Sequence, residues 1–158
     1  MRLTWNALRF TRLAALMLAL AFVLGAASVS MAQDKPTLVF QNDAGLIIFY
    51  VKPDKTADFE DLMTKLKDGL AKMEAPEAKQ MLAGMKLFKT PVAAGAQVAS
   101  YVLFADPIVK NTEYWLLSLL YKAYPADAQA LYAKWQDVKA ANPAQPAILD
   151  LTQVIKFQ

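Results

Sequence analysis

The stretch GLIIFYVKPDKTADFEDLMTKLKDGLAKM, from Gly45 to Met73, holds a strand, a turn and a helix in direct succession. Leu46 to Val51 is an unbroken run of aliphatic, aromatic and β-branched residues of strand length. Lys52-Pro53-Asp54 closes it, because proline fixes φ and removes a ladder donor. Thr56 is placed to cap a helix whose first turns carry Asp58, Glu60 and Asp61, the sign that a helix N-terminus favours. Phe59, Leu62, Met63, Leu66, Leu70 and Met73 recur at steps of three and four, so they form one apolar stripe. That stripe has to be buried against a sheet, which sets the fold class as α+β.

Reading outward, Pro76 opens a short helix that runs to Ala83 and exits at Gly84. Met85 to Thr90 and Gln97 to Asp106 read as two strands, and Pro91 to Ala96 is short enough to join them as an antiparallel hairpin. From Asn111 or Thr112 as cap, the run Tyr114, Trp115, Leu116, Leu117, Leu119 and Leu120 predicts a helix apolar nearly all round, hence buried on more than one side. Pro125 ends it and starts another helix, with Ala128, Leu131, Tyr132, Trp135 and Val138 on one face. Ile148 to Phe157 closes the chain as a strand with Leu149, Leu151, Ile155 and Phe157 on one side. Upstream, Thr37 to Gln41 reads as a short extra strand before the turn residues Asn42 to Gly45. The order is βαββαβ, a ferredoxin-like arrangement with extra helices in both crossovers.

In such a fold the helices cover one sheet face, and a monomer keeps the other face polar. Here Leu46, Ile48 and Tyr50 oppose Ile47, Phe49 and Val51, and Tyr101 and Leu103 oppose Val102 and Phe104, so both faces are apolar. The economical cover for the second face is the same face of another copy, which predicts a homodimer. Extra helices folding over that face would be the alternative.

Residues 1–32 read as a signal peptide. Arg2, Arg9 and Arg12 precede an apolar core from Leu13 to Leu24, and Ser30-Met31-Ala32 offers small residues at the positions a signal peptidase reads. The core is shorter than the roughly 20 residues a membrane span needs. The expected product is a single domain, 33–158, exported to the periplasm or beyond, with no membrane association after cleavage. All the arginines lie in the leader; the 14 Lys that remain balance 14 Asp and Glu, although the whole chain carries +3. A neutral surface without arginine argues against a nucleic-acid partner. With no cysteine, stability outside the cytoplasm must come from packing or association rather than disulfides.

Two segments, VKPDKTADFEDLM (Val51 to Met63) and FADPIVKNTEYWLLSLLYKAYPADAQALYAKW (Phe104 to Trp135), resemble a set of small exported bacterial proteins. From Gly45 to Phe157 the chain looks like the dimeric α/β-barrel superfamily that includes the antibiotic-biosynthesis-monooxygenase-like domains. The resemblance implies a ferredoxin-like protomer, two sheets paired into a barrel and a pocket between sheet and helices. It leaves activity open, since the superfamily hosts cofactor-free oxygenases, isomerases, haem-degrading enzymes and proteins without a reaction. The haem-degrading branch relies on a histidine, and this chain has none.

Without His or Cys, imidazole acid–base chemistry, Ser-His-Asp and Cys-His nucleophiles and ordinary zinc or copper sites are excluded. The mature glycines are dispersed, so no phosphate loop or dinucleotide fingerprint is formed, and no cofactor is expected. Asp58, Glu60 and Asp61 read as helix-dipole partners rather than metal ligands. Lys86 and Lys89 read as protection of a sheet edge. Asp106, at the rim of the sheet, is the candidate base and Tyr101 its candidate partner, against the commoner role of such an Asp as a turn cap. Tyr50, Tyr101, Tyr114 and Trp115 are the candidate lining of a site for a small apolar or aromatic molecule, against a role as core or interface. The expected function is ligand binding or interaction; the alternatives are a cofactor-free monooxygenase or isomerase, and a structural envelope protein.

Overall fold

The computed structural model describes residues 37–157, so the signal-peptide reading and its cleavage site lie outside the described residues. Strand β1 (Ala44–Val51) leads through a 3-10 turn (Pro53–Lys55) into helix α1 (Thr56–Lys72) and the shorter α2 (Pro76–Gly84). Strands β2 (Met85–Lys89) and β3 (Ala99–Ala105) follow, then α3 (Leu116–Ala123), a 3-10 turn (Pro125–Asp127), α4 (Ala128–Val138) and β4 (Ala147–Leu151). The strands form one antiparallel sheet in the order β2-β3-β1-β4, which is compatible with the ferredoxin-like class.

Period-two alternation decides which side the helices take. Gly45, Ile47, Phe49 and Val51 of β1 are buried, as are Ala99, Tyr101, Leu103 and Ala105 of β3, while the residues between them are half-buried. The α1 stripe of Phe59, Leu62, Met63, Leu66 and Leu70 packs on the buried side with Gly69, and Leu131, Trp135 and Val138 of α4 join it. Tyr132, expected on that α4 face, is half exposed instead. Gly69 lets α1 approach α3 closely, since a Cβ there would lie 2.6 Å from that of Ala123.

Three segments differ from expectation. The helix predicted from Asn111 begins only at Leu116, because the Tyr114 N–H donates to the Leu38 carbonyl and Trp115 is extended, with φ −70 and ψ 124. Residues 37–41 form no strand. They run as an arm whose backbone is held by side chains: Glu113 accepts from Thr37 and Leu38, and Asp150 accepts from Gln41 and Asn42. Strand β4 stops at Leu151, the fourth residue of the predicted run, and the chain continues without strand pairing to Phe157.

The arm explains Gly45. Phe40 is buried with its ring against that glycine and against Tyr114, 5.1 Å between centroids, and a Cβ on residue 45 would fall within the Phe40 ring. Gly45→Val should therefore expel the ring and cost about 2–3 kcal/mol, the burial of one large apolar side chain. A urea midpoint unchanged from wild type would contradict that packing.

Candidate functional site

The residues singled out in the sequence do not meet in one cavity. Tyr50 lies on the half-buried face of β1, away from the helices, whereas Tyr101 is buried on the helix side of β3. The Tyr101 ring packs on Phe59 at 4.7 Å, Phe59 lies 6.4 Å from Trp135, and Trp135 meets Trp115 edge to face at 6.3 Å. Tyr101 and Trp115 are thus the two ends of one aromatic chain running through the core. Tyr114 is also buried, and its hydroxyl accepts from the Val109 N–H at 2.7 Å. Tyr50, Tyr101, Tyr114 and Trp115 line none of the four main surface clefts of the described residues, and Asp106 lines one of them.

Tyr101 donates its hydroxyl hydrogen to Glu60 Oε1 at 2.6 Å, and Lys89 Nζ donates to the same oxygen at 2.9 Å. The Tyr101 hydrogen bond, helped by Lys89, lowers the Glu60 pKa. Burial, reinforced by Glu60, raises that of Tyr101. This phenol is therefore held protonated as a donor. Asp106 is exposed at the opposite end of β3, about 17 Å from Tyr101 at the rise of an extended strand, beside Asp43 in a shallow cleft. The two candidates for acid–base work do not face a common substrate position.

The acidic first turns of α1 are spent on lysines. Asp58 pairs with Lys55 and Lys134, Asp61 with Lys134, and Glu60 with Lys89. Among the described residues no group of three ligating side chains could hold a metal ion. Lys89 reaches this network from β2, an edge strand.

Burial also raises the pKa of Tyr114 and Tyr121. Each raised phenol favours the folded chain less as pH climbs, because unfolded tyrosine ionises first, near pH 10. Their contribution is complete below about pH 10 and is lost as pH rises through the folded values. Phenolate absorbance of the native protein should consequently lag behind that of the urea-unfolded chain. Superimposable titrations would contradict the burial of these rings.

The cleft best suited to a small molecule lies away from the aromatic candidates. It has a volume of about 320 Å³ and opens between α1, α2 and the β2 edge. Met63, Leu66 and Leu70 come from α1, Leu82 from α2, and Met85, Leu87 and Leu103 from the sheet, with Thr64 and Lys67 at its mouth. The α1 stripe is only partly consumed by the sheet, because β2 has five residues and carries nothing on its outer side. Periodicity reports which residues face inward, but not where a helix overhangs a short edge strand; the visible clue was the pair of methionines, Met63 and Met85, adaptable side chains suited to irregular contacts.

The chain matches no family model, no curated protein and no solved structure.

Proposed function

We propose that the protein is an exported, homodimeric binding module for a small apolar molecule, seated in the cleft between α1, α2 and β2. The observation that carries the ligand reading is the lining of that cleft: seven apolar side chains, two of them methionines, around a volume at the lower end of the usual range for ligand sites. Export is supported by the basic, apolar and small-residue succession of residues 1–32.

The dimer rests on the other side of the sheet. Leu46 stands between Phe104 and Leu149 in the register, and Val102 between Ile48 and Phe88, so apolar side chains run across all the strands. Phe88 and Leu149 are 53% and 44% exposed. A face of this width and length projects to roughly 400 Å², about half of the ~800 Å² that each partner gives to a stable interface. The segment after Leu151 supplies further apolar surface, with Val154 89%, Ile155 64% and Phe157 93% exposed. A second copy accepting both the face and this segment accounts for the exposure of each, in the manner of the paired sheets that the sequence resemblance implies.

Two measurements test the reading. Titrating 1-octanol into the protein should shift the Met63 and Met85 methyl resonances saturably; shifts confined to other methyls would remove the cleft from consideration. Light scattering should give twice the mass of the mature chain, and Val102→Asp should weaken association at least tenfold, since a carboxylate at the centre of an apolar interface has no partner. A monomer at micromolar concentration would overturn the dimer.

A further inference from the structure

We infer that the ligand of the cleft is a short apolar chain ending in an anionic head, a carboxylate held by Lys67; this rests on the cleft reading above and adds the chemical class. The short length follows from volume. About 320 Å³ lies at the lower end of the range for ligand sites, which suits a short chain better than a long one.

The head group follows from what the cleft offers at its mouth. Only Thr64 and Lys67 bring polar side chains to it. The Thr64 hydroxyl donates its hydrogen to the Glu60 carbonyl at 2.9 Å, which leaves the threonine oxygen as an acceptor only. Lys67, one helical turn further along the same side of α1, is exposed, and no carboxylate of the described residues pairs with it. Lys65 and Lys134, by contrast, are engaged, Lys65 with Asp127 and Lys134 with Asp58 and Asp61. Glu60, on an earlier turn of α1, is already shared by Lys89 and Tyr101. A ligand entering tail first, between Met63, Leu70 and Leu82, would thus leave its head beside one uncompensated ammonium. An alkylammonium would meet like charge there, and an alcohol would forgo the ion pair.

Octanoate, 1-octanol and octylammonium at neutral pH, each followed through the Met63 and Met85 methyl resonances, separate the possibilities. Octanoate should bind about three- to fivefold more tightly than octanol, the worth of a solvent-accessible ion pair, and octylammonium more weakly than both. Lys67→Met should abolish the preference for octanoate over octanol, and Lys67→Arg should keep it. Because Lys67 is exposed, these variants retain the core, and unchanged methyl spectra of the free proteins verify it. Equal affinities of octanoate and octanol for the wild type, or a preference that survives Lys67→Met, would overturn the anionic head while leaving the apolar cleft intact. Failure of all three probes to move either methionine would overturn both.

Discussion

Phe59→Ala should lower the stability of the folded chain by about 3–5 kcal/mol, the usual cost of emptying a buried aromatic site. Phe59 is fully buried, and its ring lies between three other aromatic rings, 5.4 Å from Phe49, 4.7 Å from Tyr101 and 6.4 Å from Trp135. Those partners come from β1, β3 and α4, so one side chain on α1 ties together two strands and another helix. Alanine would leave a cavity that the neighbouring rings cannot close without leaving their own contacts, and contacts of this kind add about 0.5–1.5 kcal/mol beyond area burial. Against a total of roughly 5–15 kcal/mol for a domain, the variant should melt some 10–25 °C lower. Phe59→Leu, which refills most of the volume, should recover more than half of the loss. A decrease below about 1 kcal/mol for the alanine variant would show that the α1 stripe is not anchored on the sheet as described.

The position of Phe59 was legible because α1 is an ordinary amphipathic helix, with burial following the three- and four-residue steps from Phe59 to Leu70. The alternation in β1 and β3 was equally plain, and the antiparallel hairpin joining β2 to β3 followed from its short connection, where Gly95 takes a positive φ of 76°. What escaped were features without a period. The late start of α3 depends on the tie between Tyr114 and the Leu38 carbonyl, a long-range contact that no local pattern announces. The alternating run after Leu151 has strand character, but β1 begins at Ala44, opposite Leu151, and offers it no further ladder. Aromatic side chains were the natural choice for a ligand site, yet Tyr101 and Tyr114 lie in the core with their hydroxyls hydrogen-bonded, and Trp115 packs against that core edge to face with Trp135. Composition distinguishes an aromatic lining from an aromatic core poorly, since both demand large apolar surface with a polar tip.

Glu113 was the least legible residue of consequence, an acid in a loop next to aromatic residues and without a motif around it. The structure buries it, 4% exposed, and gives its carboxylate three backbone donors: the N–H groups of Thr37, Leu38 and Trp115. Leu38 is held from the other side as well, since its carbonyl accepts from the Tyr114 N–H at 2.8 Å. The carboxylate thus joins the N-terminal arm to the segment leading into α3 and keeps Phe40 seated over Gly45. Glu113→Ala should leave those donors without their acceptor and cost about 3 kcal/mol, as charge-assisted bonds of this kind contribute some 1.5–3 kcal/mol each and water replaces part of what is lost. Glu113→Gln keeps one acceptor oxygen but turns an amide N–H₂ toward backbone donors, so it should lie between alanine and wild type. Amide hydrogen exchange gives the sharper reading. The Thr37, Leu38 and Trp115 amides should lose protection first, ahead of the β1 and β3 ladder, because the arm can detach while the sheet stays paired. Protection lost uniformly across the domain would mean that Glu113 supports the core as a whole; unchanged protection of the arm would mean that Phe40 alone holds it in place.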